Sequence, residues 1–227
     1  MNMIMMNLFE NFDSSTSLYL SLNWIMMILP LFMMPFMYWF IPSRINIMWM
    51  IFMNFIFNEF KIIINNKYQS NIIMFLSLMI FIMLLNMYSL MPYIFTITSH
   101  MSFNLTLSLS FWLSFMLYSW FNMPMKMLSH LVPLNTPMLL MNFMVFIELI
   151  SNIIRPWTLS IRLTANLISG HLLFTLLGLY MMNSILLILP LSIMIQNLLL
   201  ILEVSMSFIQ SYVFSILSIL YFSESKK

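Results

Sequence analysis

Between Met138 and Phe222 the side chains that readily carry charge near neutral pH are Glu148, Arg155, Arg162, His171 and Glu203. The hydrocarbon core of a bilayer is about 30 Å thick, and about 20 apolar residues of helix cross it. This region is much longer than one crossing, and further apolar runs of similar length precede it. Only 6% of the 227 residues are charged and mean hydropathy is +1.00, whereas soluble domains carry about 25% charged residues. The composition therefore demands a polytopic membrane protein.

Composition also removes several chemistries. There is no cysteine, so no disulfide framework, thiolate metal site or cysteine nucleophile. The two glycines, Gly170 and Gly178, are too few for a phosphate-binding loop. A net charge of +2 carries no nucleic-acid signal. The 29 methionines fit codon bias in an AT-rich genome that reads an extra codon as methionine. Glu10 and Asp13 precede the first basic residue, Arg44, which is unlike a secretory signal or an Arg-rich transit peptide. Together with the hydrophobicity, this leads us to expect a protein made inside an organelle.

The expected architecture is all-α: five membrane-embedded helices plus one interfacial amphipathic helix, within a single membrane domain. Spans are expected over 18–41, 71–91 and 101–121, and two long segments over 138–182 and 184–222. Pro30 and Pro35 allow bends in the first span. Over 45–65, Asn54, Asn58, Lys61 and Asn65 recur at helical spacing, which suits a helix lying in the interface. In this arrangement Glu59, beside Lys61, is expected to be solvated. Ser102, Asn104, Thr106 and Ser108 supply small polar groups for helix contact. The last two helices are too long to stand upright, so they must tilt strongly, kink at Pro156, or both.

Five spans place Arg44, Lys61, Lys67, Lys126, Lys226 and Lys227 on one side, with Glu10 and Asp13 opposite. That is a positive-inside pattern with the N-terminus outside and the C-terminus inside. A sixth span would divide the basic residues between the two faces.

Glu148, Arg155 and Arg162 are spaced by seven, which puts them within about 40° on one helix face. Asn166 shares that face, and His171 points the other way. An antiparallel hairpin turning near residue 186 would pair Glu148 with Glu224, Arg162 with Gln210 and His171 with Glu203. From the inside outward this sets an acid pair, then a fixed cation, then a second titratable pair. Guanidinium cannot shed its proton, and a cation in lipid costs several kcal/mol, roughly 3 on insertion scales. Such a residue is kept for charge or proton work. Arg155 has two open roles, neutralising Glu148 or headgroups on one hand and proton transfer on the other. His100 and His130 near span ends suit plain interfacial roles.

The run Arg155-Pro156-Trp157-Thr158-Leu159-Ser160-Ile161-Arg162-Leu163-Thr164-Ala165-Asn166, continuing to Gly170-His171-Leu172-Leu173, resembles the signature of the mitochondrial F-type ATP synthase a subunit family. Leu202-Glu203-Val204, Ile209-Gln210-Ser211-Tyr212-Val213-Phe214, His130-Leu131-Val132-Pro133, Thr136-Pro137 and Pro42-Ser43-Arg44 agree, so the resemblance covers essentially the whole chain. Trp157, Ser160, Asn135 and Glu224 depart from the usual residues at their positions, and none of these departures touches Arg162, His171, Glu203 or Gln210.

The resemblance implies two long tilted helices against a rotating ring of c subunits, each bearing one buried carboxylate. It implies Arg162 as the essential arginine, His171 and Glu203 in the half-channel from the intermembrane space, and Glu148 and Glu224 in the half-channel to the matrix. Asn166 and Gln210 would orient water or the arginine. It implies a non-catalytic proton-channel subunit without cofactor, in the inner mitochondrial membrane. Its partners would be the c ring, other membrane-sector and peripheral-stalk subunits, lipid and protons. The N-terminus would face the intermembrane space and the C-terminus the matrix. A secondary proton-coupled transporter and a structural subunit of a respiratory complex are the alternatives. A transporter would favour internal repeats, and the two halves are dissimilar.

Overall fold

The computed structural model describes residues 9, 12–16, 20–32, 34–35, 38–64, 66–91, 94–132, 138–183 and 189–225. Their regular structure is entirely helical. A 3-10 turn over Leu22–Met27 leads into α1 (Leu29–Phe32). There follow α2 (Arg44–Ile63), α3 (Ile72–Ser89), α4 (Met101–Asn122), α5 (Pro124–His130), α6 (Met138–Asn183) and α7 (Leu189–Ser225). Four helical stretches, Gln69–Ser89, Met101–Asn122, Leu140–Met182 and Leu189–Ser223, are long and apolar enough to cross a membrane.

The expected first span over 18–41 is not one continuous helix. Its described residues form the short apolar stretch Leu22–Phe32, with a bend at Met34 and further bends over residues 39–41. Pro30 and Pro35 each lack an amide hydrogen, and each also disfavours helical backbone in the residue before it.

α2 starts at Ser43, whose hydroxyl accepts the Asn46 N–H at 3.4 Å, an N-cap that satisfies one orphan donor of the first turn. One face of α2, Ile56 and Phe60, is buried against α3 and α7 together with Ile72, Phe75, Ile219 and Phe222. Asn54, Asn58 and Lys61 stay exposed, as their common stripe requires. Asn65 lies outside the described residues.

α3 is apolar on all sides and is correspondingly the most buried of the spans. Its main partner is α7, which turns Ser207, Ser211, Ser215 and Ser218 inward. Each of these hydroxyls donates to the carbonyl three residues earlier on its own helix. The small side chains therefore let the helices approach without leaving a donor to satisfy in lipid.

α4 packs chiefly on α6. Of its four expected contact residues, Asn104 and Ser108 are buried while Ser102 and Thr106 are exposed. Four residues make about one helical turn, so only the 104/108 pair can share the inward face. Asn104 Nδ2 donates to the Thr98 carbonyl at 2.6 Å, which fixes the entry to α4.

α6 continues through Pro156 as one helix of 46 residues, and α7 has 37. At 1.5 Å per residue these are about 69 and 55 Å long, so each must tilt or project beyond the hydrocarbon. The expected turn near residue 186 lies outside the described residues, as do Glu10, Pro133, Thr136, Pro137, Lys226 and Lys227.

Candidate functional site

α6 and α7 lie side by side in antiparallel order. The Arg155 guanidinium sits 5.1 Å from the centre of the Tyr221 ring. Asn166 Nδ2 donates to Gln210 Oε1 at 3.5 Å. Further along, the Glu203 side chain lies on Gly170, where an added Cβ would come within 2.7 Å of the Glu203 carboxyl carbon and nearer still to one of its oxygens. Gly170 is therefore the notch that admits Glu203 between the two helices.

These contacts differ from the pairs counted along the sequence. Gln210 meets Asn166, one turn beyond Arg162, and Glu203 meets Gly170 rather than His171. Long helical side chains lean toward the N-terminus of their own helix, so contacts between antiparallel helices do not follow a simple residue count. His171, turned about 100° from Gly170, stands instead edge-on to the Phe12 ring, with centroids 6.3 Å apart, and faces the Ser89 backbone at the end of α3.

Glu148 and Arg155 form an ion pair at 3.7 Å, with each side chain about one-third to two-fifths exposed. Glu224 is carried by the last turn of α7. Its side chain is outside the described residues, so the inner acid pair is represented by Glu148 alone. Arg162 is exposed, and no described carboxylate forms an ion pair with it. Exposed apolar side chains occur on both helices, Trp157 and Ile161 on α6 and Ile201, Leu202 and Ile209 on α7.

A cavity of about 200 Å³ opens between α3, α6 and α7. Its polar lining is Asn86, Asn166, Ser169, Glu203, Ser207 and Gln210. Glu203 is 8% exposed, Gln210 4% and Asn86 1%. Both Glu203 carboxyl oxygens, Asn86 Oδ1 and Gln210 Nε2 are buried without a protein hydrogen-bond partner. Buried polar atoms are nearly always bonded to protein or to ordered water. The rest of the wall is apolar, with Leu163, Leu167, Leu199 and Met206 among its residues, but several unpartnered polar atoms facing one roomy cavity mark a place for water rather than a packed core.

Asn86 was not singled out from the sequence. A lone amide in the last turn of the most apolar helix was the available signal, because polar groups kept in a membrane span are costly. Glu59 also departs from expectation: it accepts a hydrogen bond from the Tyr212 hydroxyl at 2.8 Å rather than being left to solvent. His100 sits in an aromatic pocket, with ring centroids 5.3 Å from Trp24 and 5.1 Å from Phe95. Near it, Asp13 accepts the Ser15 N–H at 3.1 Å, and the bonds from Ser15 hold the Asp13 carboxyl below its ordinary range. The described residues hold no cluster of His, Cys, Asp and Glu suited to a metal.

Residues 18–223 match the family model described as the ATP synthase A chain. The chain belongs to that family, the F-type ATP synthase a subunits. It is 62% identical to ATP synthase subunit a of Apis mellifera ligustica over 222 residues, 98% of each chain. It is 50% identical to ATP synthase subunit a of Locusta migratoria over 226 residues, covering 97% of this chain and 99% of the relative. Against ATP synthase subunit a of Drosophila melanogaster it is 48% identical over 222 residues, with the same coverage. Membership makes it a proton-translocating subunit of the membrane sector, distinct from the catalytic subunits. It accounts for the multiple apolar helices and fits the inner mitochondrial membrane.

Proposed function

We propose that this a subunit forms the stationary side of two offset proton half-channels, separated by Arg162 and facing a ring of c subunits that each carry a buried carboxylate. The observation that carries this is the shared cavity. Glu203, Asn86, Gln210 and Asn166 line one cavity in an otherwise apolar wall, and it ends about one helical turn from an exposed arginine.

A proton enters from the intermembrane space past His171 and Glu203. It crosses the water-bearing cavity and neutralises a ring carboxylate. A neutral carboxyl can face lipid, whereas an ionised one cannot do so cheaply. The ring then carries that site almost a full turn before it meets the inner half-channel, lined by Glu148 and Glu224. There Arg162 favours the ionised carboxylate by its opposite charge, and the proton leaves toward the matrix. Arg162 keeps its own proton, so it also blocks a direct leak between the half-channels. Asn166 and Gln210, bonded to each other, orient water at the point of transfer. Each proton contributes about 2.3 kcal/mol per 100 mV of membrane potential, in addition to the pH gradient.

The exposure of Arg162 on an otherwise apolar membrane helix supports contact with the ring, because a cation at that depth needs a partner carboxylate. With Leu22–Phe32 and its flanks counted as a fifth crossing, the distribution of basic residues fits an N-terminus in the intermembrane space and a C-terminus in the matrix. The remaining apolar faces meet lipid, other membrane-sector subunits and the peripheral stalk.

The test is Arg162→Gln in vesicles holding the assembled complex, with ATP synthesis and passive proton leak recorded together. Lost synthesis at unchanged assembly, with raised leak, is the expected result. Near-normal synthesis with a tight membrane would overturn the proposal.

A further inference from the structure

The hydrogen bond from Tyr212 to Glu59 joins the last helix to α2 across 153 positions of sequence. An isolated carboxylate on α2 could have remained with the exposed Asn58 and Lys61 beside it. Instead it is half-buried and accepts the phenol hydroxyl at 2.8 Å, where Tyr212 packs against the cluster containing Ile56, Phe60 and Phe222.

Tyr212 lies two residues after Gln210, so the two side chains leave α7 about 200° apart. Gln210 bonds Asn166 on α6, and Tyr212 bonds Glu59 on α2. α7 is thus held by polar contacts on nearly opposite sides at one level along its axis. Of the small serines that face α3 there, Ser211 and Ser215 bond within α7 itself and Ser207 adds only a weak contact to the Met87 sulfur at 3.2 Å, so this face offers close approach but little resistance to rolling. Rolling α7 would swing Gln210 and Glu203 out of the cavity they share.

We propose, on the basis of the proton path above, that Glu59 and Tyr212 are positioning residues: their hydrogen bond sets the rotation of α7 and so aims Gln210 and Glu203 at the cavity. α2 is then a brace for the proton path as well as a packing helix.

The test uses the assembled complex in vesicles, from this chain or a relative carrying both residues. Tyr212→Phe removes the hydroxyl and keeps the ring. Glu59→Leu removes the acceptor, and Glu59→Gln keeps a carbonyl oxygen to accept the bond. Proton-driven ATP synthesis is expected to fall roughly 3- to 10-fold in Tyr212→Phe and in Glu59→Leu, the ratio set by losing one hydrogen bond. The double variant Tyr212→Phe/Glu59→Leu is expected to be no worse than either single change, and Glu59→Gln to stay near the parent rate. The amount of assembled complex should be unchanged throughout. Equal loss in Glu59→Gln and Glu59→Leu would instead assign the effect to charge and overturn the proposal. So would unchanged synthesis in Tyr212→Phe, or loss that only follows reduced assembly. Arg162→Gln run in parallel separates the failures. If it abolishes synthesis while Tyr212→Phe has no effect, the brace alone is wrong; if it has no effect itself, the proton path is wrong.

Discussion

Gly170 and Glu203 are coupled by volume. The Glu203 carboxyl fills the space that a methyl group at position 170 would need, and the displaced atoms are the free end of a flexible side chain. Gly170→Ala should therefore fold and assemble, because Glu203 can move aside, yet shift the carboxyl away from the cavity. We expect proton-driven synthesis to fall roughly 10- to 100-fold, the range for a misplaced transfer group, with the complex present in normal amount on native gels. Arg155 presents the opposite case. It meets Glu148 at 3.7 Å and covers the Tyr221 ring, both partly in solvent, where ion pairs contribute about 0–1 kcal/mol. Arg155→Gln should keep synthesis within about twofold of the parent on this scale, and a tenfold loss would assign Arg155 to the path. At the residue scale the polar side chains of α6 and α7 were legible as outliers in apolar sequence. Their partners were not, because a contact depends on the lean and rotation of both helices.

Among the helices, α7 carries the closest packing on its serine face. Ser211 has no exposed surface, so Ser211→Leu forces a much larger branched side chain between α7 and α3. Overpacking of this kind costs about 1–3 kcal/mol, and the expected readout is less assembled complex in membranes, not altered proton kinetics in what remains. Hydrophobic length could be read along the chain, and the ends expected at residues 91 and 121 fall at Ser89 and Asn122. The face of each helix could be read only in part. The polar residues of α4 look like one set in the sequence, yet Asn104 and Ser108 turn inward while Ser102 and Thr106 do not. The first span looked long enough to cross, but its prolines break it into a 3-10 turn and a single α turn.

At the scale of the molecule, the cavity belongs to no single helix. Asn86 comes from α3, Asn166 from α6, and Glu203 and Gln210 from α7. Asn86→Leu separates a water-bearing path from a structural amide. Replacing a buried amide whose oxygen lacks a protein partner with an apolar group of similar size is near neutral or stabilising. Assembly and thermal stability should hold or rise, while proton conduction through the membrane sector falls, measured as quenching of a pH dye in vesicles. Loss of stability with normal conduction would make Asn86 a packing residue.

The amino-acid sequence by itself determined the membrane class, the two overlong helices, the family signature and which polar residues α6 and α7 carry. Each follows from local quantities: apolar length against bilayer thickness, the cost of charge in lipid, and spacing along one helix. The tertiary structure decided what those residues touch. It set Glu203 on Gly170, Gln210 on Asn166 and Glu59 on Tyr212, and it brought Asn86 from a different span to complete the cavity. Such contacts arise from how three or four helices roll and lean against one another. That arrangement is a compromise among many small packing terms, and no single stretch of sequence contains it.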